Sequence, residues 1–162
     1  MTIRPATPFD MAAVNDLRNS YVRSSTAIYT EEETSLEDRQ AWLHGRDLKL
    51  HPVIVATEGD EVVGWASLSA YNEKCGYRAT VEDSVYVRAD HHGRGVGRAL
   101  LSDVLERGKA GGAHLVLARI DSEQLPSIRL HEKLGFSHIG VLREAGWKFG
   151  RWLSVVYMQK LL

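Results

Sequence analysis

The alternation of apolar and polar residues divides this chain into short strands and amphipathic helices. Apolar residues recur at helical spacing over residues 9–21 and again after Ser35, whereas β-branched and aromatic residues dominate between Pro52 and Val87. A long helical pattern follows, then a continuous apolar run, a shorter helical pattern and two final apolar runs. The predicted order is β-α-α-β-β-β-α-β-α-β-β, which is a mixed sheet with helices packed on it, of the α/β or α+β class.

Residues with special roles at helix ends set the boundaries of the predicted helices. Asp10 is placed to cap the first helix, and Ser35 with Asp38 forms a start signal for the second. Pro126 suits the first turn of the last helix, and Gly135 suits the position just after its end. The predicted strands are residues 1–5, 52–57, 62–71, 77–87, 114–120, 139–142 and 152–158.

The composition is that of an ordinary globular protein. The chain has 162 residues, 44% of them hydrophobic and 25% charged, which suits a single domain spanning residues 1–162. A formal net charge of -1 gives no basic surplus, so nucleic acid is not an expected partner. Cys75 is the single cysteine, and no apolar run is long enough for a membrane span. We therefore expect a cytoplasmic protein with no internal disulfide and no membrane partner.

A glycine-rich turn between an apolar strand and an amphipathic helix is the strongest chemical signal in the chain. Gly93, Gly95 and Gly97 alternate there, and Arg94 and Arg98 add positive charge. The first N–H groups of a helix have no intrahelical partners, and the helix dipole places partial positive charge where they point. Such a turn is typical of a phosphate or pyrophosphate site.

The glycine turn alone does not identify a ligand. A turn that merely lets the helix pack closely on the sheet would use the same residues. A Rossmann turn requires G-x-G-x-x-G in a βαβ unit, whereas the spacing here is G-x-G-x-G after a hairpin. A P-loop requires a lysine after its last glycine, and none follows Gly97. A coenzyme A pyrophosphate site is the third specific interpretation.

Two segments of the chain resemble the markers of a known enzyme family. HGRGVGRALL is similar to the Q/R-x-x-G-x-G/A signature of GCN5-related N-acetyltransferases (GNAT), with His92 in place of the leading Gln or Arg. IRLHEKLGF resembles the second marker of that family, near the C-terminal end. Along nearly its whole length the chain resembles the phosphinothricin and methionine sulfoximine N-acetyltransferase branch. The matching stretches are IRPAT, SSTAIY, GWASL, GYRATVEDSVYV, GRGVGRALL, SIRLHEKLGF, KFGRWL and YMQ.

The resemblance implies a fold and a cosubstrate. The fold is a mixed, mostly antiparallel sheet with helices on both faces and a splay between its two middle strands, where acetyl-CoA binds. Gln124 stands where the family usually has an asparagine that contacts the coenzyme, and Pro126 stands in place of a small residue. No metal ion is expected. The implied coenzyme contacts are Val85, Tyr86, Val87, Gly93, Arg94, Gly95, Val96, Gly97, Arg98, Gln124 and Lys133.

Glu82 is the candidate general base, acting directly or through a water molecule. It lies in the TVE segment of the strand that leads to the glycine turn, where it could reach the attacking ammonium. Period-two alternation places Glu82 and Ser84 on one side of the strand and Asp83 on the other. The alternative is a carboxylate on the solvated face of the strand.

His131 is the candidate general acid. It occupies the place where many members of the family have a tyrosine that protonates the thiolate of coenzyme A. Histidine can donate a proton near neutral pH, so this role could survive the replacement. The alternative is a histidine that only packs or hydrogen-bonds on the last helix.

The acceptor side departs from the related enzymes. An amino-acid acceptor carries a carboxylate that calls for a cation, but the arginine that relatives have after an aromatic residue is Asn72 here. Either Lys74 or Arg78 substitutes for it, or the preferred substrate differs; Ser154, which replaces a usual aspartate, also weakens the transfer of specificity from the relatives. The KFGR segment, residues 148–151, either lines the same pocket, across a dimer interface, or forms an exposed turn. The candidate acceptor-binding residues are Asn72, Glu73, Lys74, Arg78, Thr80 and Glu82.

The predicted activity is acetylation of the α-amine of a small amino acid or analogue by direct transfer from acetyl-CoA, in a homodimer. Direct transfer leaves no step for an acyl-cysteine, so Cys75 is not expected to act as a nucleophile. One alternative is a protein or peptide N-acetyltransferase, which would turn over peptides but not free amino acids. Another is a non-catalytic acyl-CoA-binding sensor, which would bind coenzyme A without turnover.

Overall fold

The computed structural model of the protein describes residues 1–162. Its seven strands and four helices follow the predicted order. The strands are β1 (Thr2–Pro5), β2 (Val53–Glu58), β3 (Glu61–Ala70), β4 (Thr80–Val87), β5 (Leu115–Asp121), β6 (Ser137–Lys148) and β7 (Arg151–Leu161). The helices are α1 (Met11–Ser24), α2 (Leu36–His44), α3 (Val96–Gly111) and α4 (Leu125–Lys133).

All seven strands form one mixed sheet in the order β1-β2-β3-β4-β5-β7-β6. Every neighbouring pair is antiparallel except β4 and β5, which run parallel in the middle. That parallel pairing covers only residues 80–82 of β4 and 115–117 of β5. Beyond it β4 follows β3 and β5 follows β7, so the sheet opens into a splay at its centre. The predicted fold class is confirmed, including its splay.

Helices α3 and α4 cover one face of the sheet. Residues at helical spacing in α3, such as Leu100 and Val104, are buried there together with Leu68 of β3. Gly108 lets α3 approach β3 closely, because a Cβ at that position would lie 2.3 Å from Cδ1 of Leu68. The residues of α4 that pack against this core are Ile128 and Leu130, followed by Leu134 just after the helix.

Helices α1 and α2 cover the opposite face over a smaller core. Met11 and Val14 of α1 are buried there against Trp65 of β3. Trp65 in turn stacks on Tyr86 of β4, with 4.6 Å between the ring centroids. The start signal predicted for α2 is present, since Oγ of Ser35 accepts the N–H of Asp38 at 3.0 Å.

Asp10 does not cap α1 through its side chain, so that prediction is wrong. Its carboxylate accepts hydrogen bonds from Arg4 at 2.7 Å and from the N–H and hydroxyl of Thr7 at 2.7 and 2.8 Å. The carboxylate therefore closes the turn that precedes the helix, and α1 begins at Met11. None of the helices is long and apolar enough to cross a membrane.

The last two strands are longer than predicted. β6 extends well beyond residues 139–142, and β7 extends beyond residues 152–158 at both ends. The two strands pair along the whole hairpin, with register shifts between His138 and Gly140 and between Leu142 and Gly146. Pairing between neighbours, rather than local alternation, sets their length.

Candidate active site at the splay

The two halves of the sheet part at its centre and leave a gap between β4 and β5. The last paired residues are Glu82 of β4 and Leu117 of β5. Beyond them β4 has a partner on the β3 side alone. The backbone groups on its other edge are therefore open to an extended ligand, which can pair with that edge as another strand would. The predicted coenzyme contacts on this part of β4 are Val85, Tyr86 and Val87.

The glycine turn joins the end of β4 to the start of α3. Gly95, which immediately precedes α3, has a φ of 84°, and Gly93 has a φ of 75°, so both are left-handed. A Cβ at either position would meet no atom within 4 Å, so the space around the turn is open. The first N–H groups of α3 have no intrahelical partner and are available to an anion. Around this helix start lie the predicted contacts Gly93, Arg94, Gly95, Val96, Gly97 and Arg98.

His92, the departure from the family signature, fixes the glycine turn to the end of β4. Its Nε2 lies 2.9 Å from the carbonyl oxygen of Val87 and 3.1 Å from the hydroxyl oxygen of Tyr21. The Tyr21 hydroxyl donates to the same carbonyl at 2.7 Å. One imidazole thus connects the turn, the strand and α1, which keeps the start of α3 in a defined position.

Glu82 lies at the vertex of the splay. It alternates with Val81, which is buried in the α3 core, so Glu82 faces the α1 and α2 side of the sheet. Its carboxylate pairs with Arg119 of β5, and its side chain is 16% exposed. Burial raises the pKa of the Glu82 carboxyl, and the charge and hydrogen bond of Arg119 act against this rise. A carboxyl with a raised pKa beside an opening is suited to accept a proton.

Asp83 faces the other side of the sheet, as alternation predicts, and meets His131 of α4. Nε2 of His131 lies 3.0 Å from Oδ2 of Asp83, and Nδ1 lies 2.7 Å from the carbonyl oxygen of Ser127. Burial alone would lower the pKa of the imidazole. The hydrogen bond and charge of Asp83, together with the Ser127 carbonyl, outweigh burial and raise the pKa of His131.

Gln124 and Lys133 stand at the two ends of α4. Gln124 precedes the helix, and its Nε2 donates to Oγ1 of Thr26 at 3.3 Å, so its amide contacts the segment after α1. Lys133 is exposed in the last turn of the helix. The coenzyme contacts of both residues stay predictions.

The candidate acceptor-binding residues follow the loop between β3 and β4, residues 71–78. Oδ1 of Asn72 accepts the N–H of Lys74 at 2.9 Å, which tightens the middle of the loop. The loop leads into β4 at Thr80, and Glu82 follows on the same strand. It therefore approaches the Glu82 end of the splay rather than the glycine turn. Its exposed polar residues are Asn72, Glu73, Lys74 and Arg78.

The segment between α1 and α2, residues 25–35, is held by the β6–β7 hairpin. Lys148 of β6 is fully buried, and its Nζ donates to the carbonyl oxygens of Ser25 at 2.6 Å and Ile28 at 2.7 Å. From the other side, the hydroxyl of Tyr29 donates to the carbonyl oxygen of Ser154 at 3.0 Å. Lys148 is therefore engaged with this segment.

The other members of the KFGR segment belong to the turn of the hairpin. Phe149 is exposed with a φ of 51°, and its N–H donates to the carboxylate of Glu31 at 3.1 Å. Arg151 forms a bidentate pair with Glu123, which lies just before α4. The proposed role of this segment in lining the acceptor pocket stays a prediction.

Two partners in the site were missed from the sequence. Arg119 interrupts the apolar run HLVLARI, and that interruption is the signal that could have identified it as the partner of Glu82. No local signal connects Asp83 with His131, since they lie 48 residues apart and meet only because α4 packs on the sheet.

Several known proteins are similar to this chain in sequence and in structure. The Acetyltransferase (GNAT) family matches residues 14–136. The L-methionine sulfoximine/L-methionine sulfone acetyltransferase of Salmonella typhimurium is 40% identical over 159 residues, which is 98% of this chain and 93% of the relative. An acetyltransferase from Salmonella typhimurium, solved with its cofactor acetyl-CoA, has a TM-score of 0.96 at 40% identity, over 99% of this chain and 93% of its own. A phosphinothricin acetyltransferase from Sinorhizobium meliloti in complex with acetyl-CoA has a TM-score of 0.95 at 33% identity, over 99% and 88%.

Proposed function

The chain belongs to the acetyltransferase (GNAT) family, and on that premise we propose that it acetylates the α-amine of a small amino acid or amino-acid analogue. Acetyl-CoA is the donor, and the acceptor is of the methionine sulfoximine, methionine sulfone or phosphinothricin type for which the similar proteins are named. The observation that carries the proposal is the order of three features along β4: Glu82 at the vertex of the splay, then an unpaired strand edge, then the glycine turn at the start of α3.

The glycine turn and the open edge of β4 suit two parts of acetyl-CoA, the pyrophosphate and the pantetheine arm. The first N–H groups of α3, with Arg94 and Arg98 beside them, supply donors and positive charge for the pyrophosphate. The free edge of β4 supplies backbone donors and acceptors for the amides of the pantetheine arm. The bound coenzyme supplies the thioester carbonyl that the acceptor amine attacks.

Glu82 is the group we propose to take a proton from the acceptor ammonium, directly or through a water molecule. Only the neutral amine has the lone pair that attacks a thioester, so a base must act before or during transfer. Burial raises the pKa of this partly buried carboxyl, and a higher pKa makes the carboxylate a stronger base. Arg119 limits the rise and keeps the basic form populated.

His131 is the proposed donor of the proton that the departing thiolate takes up. It approaches the splay from the α3 and α4 side, whereas Glu82 faces the α1 and α2 side. Base and acid thus stand on opposite faces of the same gap, which separates the proton taken from the amine from the proton given to sulfur.

Lys74 and Arg78 are the cations we propose to face the acceptor carboxylate. They stand in the loop that approaches Glu82, where the family resemblance implies an arginine at the position of Asn72. A carboxylate bound there would hold the α-amine of the acceptor at the Glu82 end of the splay.

The decisive experiment measures free thiol released from acetyl-CoA over a panel of acceptors. The panel contains methionine sulfoximine, methionine sulfone, phosphinothricin, ordinary amino acids and a short peptide. We expect turnover with one or more of the free amino acids or analogues and none with the peptide. Turnover on the peptide alone would assign a peptide acetyltransferase, and coenzyme binding without release on any acceptor would assign a sensor.

Replacing the base is expected to separate chemistry from binding. Glu82→Gln should lower kcat by about 10²–10⁴-fold, because the amide keeps the shape of the side chain but accepts no proton at neutral pH. The dissociation constant for acetyl-CoA, measured by titration calorimetry, should stay within about twofold, since the coenzyme is held by the turn and the strand edge. Glu106→Gln, an exposed change on α3, serves as the control. An unchanged kcat in the Glu82 variant would remove this residue from the mechanism.

A homodimer that associates through β6 is the assembly we propose. β6 is an edge strand of the sheet, and an exposed apolar patch on an edge marks an interaction surface. The exposed apolar residues of β6 are Ile139, Val141, Leu142 and Trp147.

The exposed free thiol of Cys75 suits a reducing cytoplasm, which is the compartment we propose.

A further inference from the structure

Asp83 and His131 form the ion pair of this protein in which both side chains are most deeply buried. The side chain of His131 is 4% exposed and that of Asp83 is 3% exposed. A buried carboxylate is costly unless a charged or hydrogen-bonding partner compensates it. This pair is therefore not a solvent-exposed surface ion pair, and each side chain depends on the other as its partner. The proposed function gives Asp83 no role so far.

The hydrogen bonds of the imidazole determine how many protons it carries. A carbonyl oxygen can only accept, so Nδ1, which lies 2.7 Å from the carbonyl oxygen of Ser127, must carry a proton. Nε2 then faces Oδ2 of Asp83 at 3.0 Å. An unprotonated nitrogen and an ionised carboxylate would repel each other, so a second proton lies between them. The imidazole also packs against the uncharged ring of Phe136, with 4.9 Å between the ring centroids.

The free oxygen of Asp83 stands beside the opening of the sheet. Oδ1 is buried and has no hydrogen-bond partner, although Oδ2 has one. Asp83 follows Glu82, the last residue of β4 that pairs with β5, and so it is the first residue on the open part of the strand. The Asp83–His131 pair therefore lies at the point where the sheet begins to open.

We propose that Asp83 is a positioning residue that keeps His131 doubly protonated where the sheet begins to open, so that His131 can protonate the leaving thiolate. This inference rests on the proposed acetyl transfer. In the step, the thiolate replaces Oδ2 of Asp83 as the acceptor of the Nε2–H group. The Nε2–H bond then breaks and an S–H bond forms, while the electron pair of the former N–H bond stays on Nε2. The proton that the amine loses leaves separately, through Glu82.

Asp83 also restores the acid after each turnover. Once Nε2 has lost its proton, its lone pair faces the Asp83 carboxylate without a hydrogen between them. That arrangement is unfavourable in a buried site, so the pair takes up one proton from water and returns to its starting state. An isolated histidine with an ordinary pKa would be largely neutral before it met the thiolate.

Asp83→Asn tests the proposal with little change in shape. The amide can donate to Nε2 from the same place, which satisfies a neutral imidazole and removes the need for the second proton. With acetyl-CoA we expect kcat to fall by about tenfold to a hundredfold, below the loss expected for removing the acid itself, while KM for acetyl-CoA changes little. Asp60→Asn, in the exposed turn between β2 and β3, is the matched control and should leave kcat unchanged.

A second donor separates proton delivery from structural damage. The acetyl thioester of para-nitrothiophenol releases a thiolate that needs no proton, so Asp83→Asn should not slow its reaction with the same acceptor. Equal losses with both donors, or no loss with acetyl-CoA, would overturn the proposal. If wild-type protein fails to use acetyl-CoA at all, the proposed function fails instead, and the two failures are distinguishable.

The charge state of the ring provides a test that needs neither turnover nor a variant. Nitrogen-15 NMR of the wild-type protein at pH 7 should show both ring nitrogens of His131 protonated. Asp83→Asn should convert the ring to the neutral form with the proton on Nδ1. A neutral His131 in the wild-type protein would overturn the proposal even if the variant did not fold.

Discussion

At the scale of single residues, the protonation of Glu82 results from two opposing influences. Burial at the vertex of the splay favours the neutral acid, and Arg119 across the strands favours the carboxylate. A base needs both: enough burial to hold a proton, and enough ionisation to be free when the acceptor arrives. The cation is therefore as much a part of the site as the carboxylate.

Removing that cation should move the pH dependence of catalysis in a defined direction. In Arg119→Met the burial of Glu82 is no longer opposed, so the pKa of the carboxyl rises further. Because Glu82 acts in its deprotonated form, the ascending limb of the profile of kcat/KM against pH should move to higher pH. The measurement is initial rates across that limb at saturating acetyl-CoA.

Arg107→Met is the control for this shift, since it removes a cation that pairs with Asp103 on the surface of α3. Its profile should coincide with that of the wild-type protein. A limb that stays in place, or moves to lower pH, when Arg119 is replaced would show that Glu82 is not the titrating base.

Much of the site at this scale could be predicted, but its pairings could not. Strand alternation placed Glu82 and Asp83 on opposite faces, because the direction of a side chain in a strand depends on its neighbours in sequence. The partners Arg119 and His131 come from β5 and α4, and only the packed sheet brings them close. Asp10 shows the same limit, since Arg4 and Thr7 took the carboxylate that was expected to cap α1.

At the scale of elements, the glycine turn couples backbone conformation to ligand binding. Gly95→Ala should cost about 1–2 kcal/mol, because its φ of 84° lies in the left-handed region that a Cβ disfavours. The open space at that position means that no clash within the protein adds to the cost. We expect a lower Tm. Because a Cβ now projects into the open space of the glycine turn, we also expect a higher dissociation constant for acetyl-CoA, measured by calorimetry.

Gly59→Ala is the matched control for the glycine turn. Gly59 has a φ of 60° in the turn between β2 and β3, with open space around it. Its replacement carries similar backbone strain and should lower Tm to a similar extent, yet leave the affinity for acetyl-CoA unchanged. If both variants bind the coenzyme as the wild-type protein does, the turn is a packing feature and not an anion site.

The lengths of β6 and β7 show why elements were predicted better in order than in extent. Gly140, Gly146 and the left-handed Glu144 break the alternation of β6, so the local pattern indicates only a short strand. β7 supplies the partner that carries β6 through these irregularities by shifting register twice. The local sequence pattern of β6 does not predict this stabilisation by pairing with β7.

At the scale of the whole molecule, the edge strand β6 is the surface proposed to join two copies. Val141→Lys places a charge in the middle of its exposed apolar patch, where the residue is 55% exposed in the single chain. We expect the change to convert a dimer into a monomer without loss of folding, as measured by light scattering after size exclusion. Phe9→Lys, at a residue 97% exposed elsewhere on the surface, should leave the dimer intact. A wild-type protein that is already monomeric would remove the proposed interface.

The splay has a consequence for stability as well as for catalysis. A sheet that parts in the middle has two interior edges, whose backbone N–H and C=O groups are open to water or to a strand of another molecule. A ligand that fills the gap binds the native state and not the unfolded chain, which adds about 2.7 kcal/mol of stability when it exceeds its dissociation constant a hundredfold. Acetyl-CoA would then stabilise the folded protein, and we expect resistance to proteolysis in vitro to rise with the concentration of acetyl-CoA.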